Sequence, residues 1–374
     1  MSEDVDQLSW APAPGHGEEV LYAVDGPLGR VRLNRPRAIN AIDGPMIGSL
    51  HDRLHAWAGD VSVAAVVIDG AGDRGLCAGG DVRAVRESVL AGRPEEASGF
   101  WRTEYAVNAL VAAYPKPYVA WMDGIVMGGG VGLSSHGSVR LVTERTRLAM
   151  PETIIGLFPD VGGTYLLSRA PGELGTYAAL TGASLSGADA VLLGLADAVV
   201  PSGAKAAVLR ALREDPAMEA EGLAAAAWEE TAGAAAGRAE GSRSPGADDL
   251  SAPSELLDER AWIDACFAGD DAPTILARLR SRTEPAAAEA AEAIAARSPH
   301  SVAVTLEALR RAAGLTVEQV LEQDLVVGSH LAVHPDFAEG VRAQLVDKDR
   351  QPRWVHASLE DVTRAEVLAA FGEG

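Results

Sequence analysis

Two short runs of consecutive apolar residues lie in the first third of the chain. Ala64-Ala-Val-Val-Ile-Asp ends at Gly70, and Tyr118-Val-Ala-Trp-Met follows the turn residues Pro115 and Pro117. A continuous apolar run of this length is typical of a strand that is buried on both faces of a parallel sheet. We therefore expect two central strands at these positions.

The segments around these runs show alternating or helical spacing. Val31 and Leu33 alternate with polar residues, which predicts a half-buried strand that ends before Pro36. Residues 46–57 carry apolar side chains at intervals of three or four, which predicts a helix. Because strands and helices continue to alternate to about residue 200, we expect an α/β fold.

The composition changes near residue 214. The stretch 214–256 contains runs of alanine and the segment Gly241-Ser-Arg-Ser-Pro-Gly, which indicate a weak helix followed by a flexible connector. Beyond it, apolar residues recur at helical spacing. The sequence thus predicts four segments: a flexible leader over 1–18, an α/β core over 19–205, an Ala/Gly-rich acidic connector over 206–256 and a helical C-terminal region over 257–374.

The overall composition is that of a globular but acidic protein. Of the 374 residues, 48% are hydrophobic and 23% are charged, and the formal net charge is −21. Such a charge disfavours binding to nucleic acid or to an anionic membrane. The charge is uneven along the chain, because the residues of 30–213 together carry only about +1.

Several functional classes lack their sequence signatures. Two cysteines cannot build a disulfide framework, and they fit a reducing compartment. The chain contains no C-x-x-C, H-E-x-x-H, G-x-S-x-G or P-loop motif, and no apolar run long enough to predict a membrane span. We therefore expect a soluble, cytoplasmic protein without a metal or a cofactor, and the sequence leaves a homo-oligomer open.

Three segments carry the candidate chemistry. They are Cys77-Ala-Gly-Gly-Asp-Val, Asp123-Gly-Ile-Val-Met-Gly-Gly-Gly-Val-Gly-Leu-Ser and Ala149-Met-Pro-Glu-Thr-Ile-Ile-Gly-Leu-Phe-Pro-Asp-Val-Gly-Gly. In the first two segments, glycines let a ligand approach the backbone N–H groups closely. Two such loops that face each other could bind one developing oxyanion. Either loop alone could equally be a tight turn.

The third segment places two carboxyl groups among apolar residues. Glu152 and Asp160 flank the apolar stretch 154–158, where desolvation would raise the pKa of a carboxyl group. A carboxyl pair in such surroundings suits general acid/base or nucleophilic catalysis. The alternative is structural, with Glu152 at a helix start and Asp160 as the N-cap of a helix from Val161.

In this order, the three segments resemble the crotonase (enoyl-CoA hydratase/isomerase) superfamily. The resemblance implies a crotonase-like spiral of ββα units, with the catalytic core in 19–205 and an acyl-CoA substrate. It also implies an oxyanion hole made by the backbone N–H groups of Gly80 and Gly129, with catalytic carboxyl groups at Glu152 and Asp160. Further substrate contacts are implied at Arg35, Ala38, Ala78, Gly79 and Glu104.

The chain departs from the hydratase pattern at one position. Hydratases of this superfamily carry a Glu two residues after the triple glycine, and here that residue is Gly132. The run from Met150, with Asp160, is similar to the 3-hydroxyisobutyryl-CoA hydrolases instead. The distant segment 334–354 is similar to the same subgroup and lies outside the core that the superfamily shares.

The resemblance therefore implies hydrolysis of a short β-hydroxyacyl-CoA thioester, with 3-hydroxyisobutyryl-CoA in valine breakdown as the favoured substrate. An enoyl-CoA hydratase or isomerase of the same superfamily is one alternative, and a non-catalytic acyl-CoA-binding protein is another. A basic turn that contains Arg30, Arg32, Arg35 and Arg37 is expected to receive the CoA phosphates.

Overall fold

The computed structural model describes residues 8–236 and 254–373, and its strands are short. They are β1 (Val20–Asp25), β2 (Leu28–Leu33), β3 (Ala65–Gly70), β4 (Gly75–Cys77), β5 (Tyr118–Met122), β6 (Ile125–Met127), β7 (Val139–Val142), β8 (Arg147–Ala149) and β9 (Ala198–Val199).

Helices make up most of the remaining ordered chain, and in chain order they are as follows. They are α1 (Gly44–Gly59), α2 (Val82–Leu90), α3 (Pro94–Ala112), α4 (Gly129–Ser134), α5 (Gly163–Leu167), α6 (Leu174–Thr181), α7 (Gly187–Leu192), α8 (Lys205–Glu214), α9 (Ala220–Ala236), α10 (Glu255–Phe267), α11 (Ala272–Arg280), α12 (Pro285–Ala295), α13 (Pro299–Ala312), α14 (Val317–Val333), α15 (Pro335–Val341) and α16 (Arg364–Ala369).

The described residues form two compact units, and each unit is drawn from three stretches of chain. The first comprises Met1–Gly79, Leu110–Leu148 and Leu185–Ser254, and the second comprises Gly80–Ala109, Ala149–Ser184 and Glu255–Gly374. The units therefore cut across the consecutive segments that the sequence suggests.

The first unit is built on a six-stranded sheet with the strand order β1-β2-β3-β5-β7-β9. Only the β1–β2 pair is antiparallel. The central strands β3 and β5 are buried almost throughout, as their continuous apolar runs predict. A smaller sheet, with the order β4-β6-β8, lies in the part of the chain that carries the glycine-rich loops.

Helix α1 begins where its sequence signals predict. The Oδ1 atom of Asp43 accepts a hydrogen bond from the Met46 N–H at 3.0 Å, and Pro45 occupies the first turn. Its apolar face is buried, including Ile47, Leu50 and Leu54. The predicted helix over 46–57 is therefore confirmed, with one short extension at each end.

The second unit is mostly helical. It contains the first part of α3, the helices α5 and α6, and the run from α10 to α16. The predicted α/β class with a helical C-terminal region is confirmed.

Parts of the expected leader and connector are ordered. Ala11 pairs with Tyr22 of β1 through two backbone hydrogen bonds, and the guanidinium of Arg32 lies 4.3 Å from the Trp10 ring. The described part of the leader, 8–18, is thus held against the first unit. The expected connector contains nearly all of α8 and the whole of α9, and its segment 237–253 lies outside the described residues.

Candidate active site

Three carboxyl side chains are buried in the second unit. Glu104 lies on α3, Glu152 begins a 3-10 helix over Glu152–Ile155, and Asp160 lies in the turn before α5. Their exposed fractions are 2%, 7% and 6%. The structure thus brings together three side chains that the sequence singles out, although Glu104 and Asp160 are more than fifty residues apart.

Burial and mutual repulsion raise the pKa of each of these groups. For Glu104 and Glu152, desolvation raises the pKa well above its ordinary value, and the nearby charge of Asp160 raises it further. For Asp160, desolvation raises the pKa to about 6, while hydrogen bonds from Tyr105 and from its own backbone oppose the shift. Perturbed carboxyl groups of this kind suit proton transfer near neutral pH.

Tyr105 is a site residue that the sequence does not reveal. Its hydroxyl donates a hydrogen bond to Asp160 Oδ2 at 2.7 Å, and the ring is buried beside Glu104 on the same helix. The Asp160 side chain makes no cap to α5, whose N-cap is Gly162. The N-cap alternative for Asp160 is therefore not what this structure shows.

The backbone after Asp160 is held in an unusual conformation. Val161 has φ 53° and Gly162 has φ 74°, and a β-branched residue such as valine rarely adopts a positive φ. The Gly162 N–H donates to Asp324 Oδ2, on α14, at 2.8 Å. Asp324 is fully buried, so this hydrogen bond pins the turn that presents Asp160.

The C-terminal segment 334–354 packs directly against the helix that carries Glu152. A Cβ atom on Gly156 would lie 2.6 Å from the Asp336 carbonyl, and one on Gly340 would lie 2.5 Å from the Ile155 carbonyl carbon. Only glycine permits such close approach of two backbones. The segment therefore has a positional role that its sequence alone does not explain.

The two glycine-rich loops approach each other within the first unit. A Cβ atom on Gly130 would lie 2.8 Å from the Cys77 carbonyl oxygen, and one on Gly79 would lie 3.7 Å from the Gly129 nitrogen. Gly79 also has φ 103°, which favours glycine. Gly129 begins α4, while Gly80, the residue after Gly79, belongs to the second unit.

Cys77 supports the first loop as a buried thiol. The Gly79 N–H donates to Cys77 Sγ at 3.3 Å. Ala78 lies between these two residues, and its N–H donates to the Ile39 carbonyl at 2.9 Å. The loop is thereby tied to the turn that contains Arg35 and Ala38.

Arg35 itself is engaged within the N-terminal turn. Its guanidinium lies 3.2 Å from Asp43 and donates to the Ala41 carbonyl at 2.7 Å. Ala38 ends a 3-10 helix over Pro36–Ala38 and is exposed. Arg35 is thus held in place, one quarter exposed, at the position for which a substrate contact is expected.

The expected basic turn is only partly available for phosphates. Arg30 is fully buried and pairs with Asp25 and Asp69, and Arg32 also pairs with Asp69. These two arginines lie on β2, because the strand extends to Leu33. Their positive charge is neutralised inside the first unit, so the phosphate role expected for them does not fit, whereas Arg37 is exposed.

Two general properties of the described residues bear on the site. Within 8–236 and 254–373, no group of three or more His, Cys, Asp or Glu side chains is arranged to hold a metal ion. None of the helices in those ranges is both long and apolar enough to cross a bilayer.

Comparison with known proteins identifies the family. A family model described as enoyl-CoA hydratase/isomerase matches residues 28–371. The chain belongs to the enoyl-CoA hydratase/isomerase family. The predicted superfamily is therefore confirmed, and the match extends through the helical C-terminal region.

Similar family members carry hydrolase names in one group. The chain is 40% identical to the 3-hydroxyisobutyryl-CoA hydrolase, mitochondrial, of Rattus norvegicus, over 94% of this chain and 88% of that protein. It is 37% identical to the human protein of the same name, over 95% and 88%. Those names place the relatives in mitochondria, and a cytoplasmic location of this chain stays a prediction.

Similar solved structures carry lyase names instead. A carnitinyl-CoA dehydratase from Mycobacterium thermoresistibile is 48% identical with a TM-score of 0.82, covering 95% of this chain and 96% of that one. An enoyl-CoA hydratase from Rhodobacter sphaeroides is 37% identical with a TM-score of 0.81, covering 94% and 97%. The two groups of names describe different reactions on CoA esters, so the residues of this chain must decide between them.

Proposed function

We propose that this family member hydrolyses a short β-hydroxyacyl-CoA thioester, with 3-hydroxyisobutyryl-CoA, an intermediate of valine breakdown, as its substrate. The observation that carries the proposal is the buried group of Glu104, Glu152 and Asp160 in the second unit. The position of the second hydratase carboxylate is Gly132, inside α4. The relatives named as 3-hydroxyisobutyryl-CoA hydrolases support the same reaction.

The glycine loops supply the electrostatic part of the proposed mechanism. The backbone N–H groups of Gly80 and Gly129 polarise the thioester carbonyl and stabilise the oxyanion that forms when it is attacked. The loss of one such donor raises a reaction barrier by about 2.7–4 kcal/mol in other enzymes. The close packing of Gly79 and Gly130 within the first unit supports this role, because a bulkier residue would separate the loops.

The carboxyl groups supply the nucleophile or the base. Glu152 either attacks the carbonyl carbon, which gives a mixed anhydride that water then hydrolyses, or it activates water for direct attack. Asp160 positions the substrate hydroxyl or the water and takes part in proton transfer. Glu104 is the third polar group available to the β-hydroxyl. Single turnover in oxygen-18 water distinguishes the two routes, because only the anhydride route places label in Glu152.

A thiol-release assay over a small panel of CoA esters tests the proposed reaction. We expect thiol release from 3-hydroxyisobutyryl-CoA, and a kcat/KM at least tenfold lower for isobutyryl-CoA. The unsubstituted ester leaves buried polar groups without partners, which sites built for a hydroxyl reject strongly. Equal rates for the two esters would contradict the proposed use of the hydroxyl, and no thiol release from any ester would overturn the hydrolase assignment.

The second candidate is a lyase that adds or removes water at a CoA ester. The 48% identity to a structure titled as a carnitinyl-CoA dehydratase is the observation that favours it. Gly132 argues against it, because concerted hydration in this superfamily uses a second carboxylate there. Crotonyl-CoA distinguishes the candidates: loss of its absorbance without thiol release would favour the lyase.

A further inference from the structure

Among the buried carboxyl groups of the second unit, only Asp160 receives a hydrogen bond from another side chain. The Tyr105 hydroxyl donates to its Oδ2 atom at 2.7 Å. We propose that Tyr105 is a positioning residue that keeps the negative charge of this group on Asp160, so that Asp160 rather than Glu152 is the base that activates water. This inference rests on the proposed hydrolase function, and it selects one of the two routes left open above.

The hydrogen-bond pattern separates Asp160 from its neighbours. Among the described residues, Glu104 Oε1 and Glu152 Oε2 are buried and have no hydrogen-bond partner. An ionised carboxylate that is buried without donors carries a large desolvation cost, whereas a protonated carboxyl group does not. Asp160 has the phenol and its own backbone as donors, so it is the member of the group that can stay ionised at the lowest cost.

Mutual repulsion allows only one of these groups to be charged readily. The charge on Asp160 raises the pKa of both Glu104 and Glu152, in addition to the larger effect of burial. The pKa of Asp160 itself is about 6. Near pH 7 the group therefore holds one negative charge, on Asp160, with protonated Glu104 and Glu152 beside it.

Tyr105 remains a hydrogen-bond donor throughout this range. Its burial and the neighbouring acidic groups Asp160, Asp324 and Glu104 raise the pKa of the phenol well above its ordinary value. The phenol therefore keeps its proton. A donor that cannot ionise is suited to stabilise an adjacent carboxylate without competing for the charge.

Asp324 supports the same arrangement from α14. Its Oδ2 atom accepts from the Gly162 N–H, while its Oδ1 atom is buried without a partner. Burial, and secondarily the charge of Asp160, raises the pKa of Asp324. Asp324 thus acts as a neutral acceptor that fixes the backbone beside Asp160, and an asparagine could make the same hydrogen bond.

The resulting step balances as follows. Water transfers a proton to Asp160 as its oxygen bonds to the thioester carbon, and the carbonyl oxygen becomes an oxyanion. When the oxyanion collapses, the carbon–sulfur bond breaks and protonated Glu152 donates its proton to the departing thiolate. The new carboxylic acid returns a proton to Glu152, and Asp160 releases its proton to solvent. The sum is thioester plus water giving carboxylate, thiol and one proton.

The pH dependence of kcat/KM tests the role of Tyr105, because it reports groups of the free enzyme. We expect the acid limb of the unaltered enzyme near pH 6. Tyr105→Phe should move that limb upward by about one pH unit, as the loss of a hydrogen bond to a charged group predicts. A shift measured with one substrate excludes titration of the CoA phosphates as its cause.

Two further variants make the test specific. Tyr114→Phe removes a tyrosine hydroxyl that donates to the Leu54 carbonyl in the first unit, and its activity and acid limb should both be unchanged. Asp324→Asn keeps a neutral acceptor for Gly162, so its acid limb should stay near pH 6 whatever its maximal rate. An unmoved limb in Tyr105→Phe would overturn the role of Tyr105, and an upward shift in Asp324→Asn would place the charge on the wrong residue.

Two readouts separate this inference from the proposed function. Oxygen-18 in Glu152 after single turnover would overturn direct attack by water even if the enzyme is a hydrolase. Carbon-13 NMR of labelled carboxyl groups, assigned with Glu152→Gln and Asp160→Asn, needs no substrate. We expect Glu152 to be protonated and Asp160 to be ionised at pH 7.5, and an ionised Glu152 in the free enzyme would reject the inference whatever the substrate is.

Discussion

The backbone of Gly340 lies directly against the backbone of Ile155. A side chain on Gly340 would begin 2.5 Å from the Ile155 carbonyl carbon, which is closer than Cβ atoms come to other atoms. Ile155 ends the 3-10 helix that begins at Glu152. The position of a proposed catalytic carboxyl group is thus set by a contact with α15, in the C-terminal part of the chain.

This contact predicts the effect of Gly340→Ala. The added methyl group must push α15 and the Glu152 helix apart, which we expect to cost about 1–3 kcal/mol of unfolding free energy. We also expect kcat/KM to fall at least tenfold, because small displacements of a reacting group slow catalysis strongly. Urea unfolding and the thiol-release assay measure the two effects.

A matched control is Gly314→Ala, since a Cβ at Gly314 would have no atom within 4 Å. It should leave kcat/KM unchanged. Full activity in Gly340→Ala would show that the contact with Ile155 does not position Glu152.

Glu152→Gln should remove most of the activity and leave the fold intact. Loss of a group that transfers protons in the transition state typically slows a reaction by about 10²–10⁴-fold. Stability should not fall, because a buried carboxyl group of raised pKa is replaced by a neutral side chain of the same shape. Glu289→Gln, at an exposed position of α12, is the control. Unchanged turnover in Glu152→Gln would remove Glu152 from the mechanism.

The buried imidazole of His300 predicts a loss of stability in acid. His300 stacks on His334 at 4.4 Å, with His330 and His356 also near and Asp336 as the closest acidic group. Burial, and secondarily the charge of His334, lowers the pKa of His300 to about 4. Since the pKa is lower in the folded state than in the unfolded chain, folding is favoured above pH 6.5 and this contribution disappears as the pH falls from 6.5 to 4.

The expected contribution is about 3 kcal/mol, and urea unfolding at a series of pH values measures it. His300→Gln should flatten the decline of stability between pH 6.5 and 4, whereas His55→Gln, at an exposed position of α1, should not. The same decline in both variants would mean that His300 does not cause it.

The ion pairs around Asp69 predict a second effect on stability. Asp69 is fully buried and contacts Arg30, Arg32 and Lys205, and these positive charges lower its pKa to about 2. Because the folded pKa is depressed, the carboxylate stabilises the fold above pH 3.8 and loses this effect as the pH falls to 2.

Asp69→Asn should destabilise the protein by about 3–5 kcal/mol, since it leaves Arg30 buried without one of its counter-charges. Thermal unfolding at neutral pH measures the loss, with Asp73→Asn at an exposed position as the control. A melting temperature unaltered by Asp69→Asn would contradict the proposed stabilisation.

The amino-acid sequence by itself determined the α/β class, the buried strands β3 and β5, the helix α1 and the family. Each of these depends on local periodicity or on the order of short motifs. It also singled out Glu104, Glu152 and Asp160, because residues of these types at matching positions are visible without any knowledge of their neighbours. It could not show that Arg30 and Arg32 belong to β2 and are neutralised there, since both pair with Asp69 from a different strand.

Only the tertiary structure decided how the three carboxyl groups differ. Tyr105 meets Asp160 across 55 residues of chain, and Asp324 meets Gly162 across 162 residues. Such contacts leave no period in the sequence, because they depend on how separate helices pack. Protonation depends on burial and on neighbouring donors and charges, so the residue that holds the negative charge is a property of the packed second unit rather than of any motif.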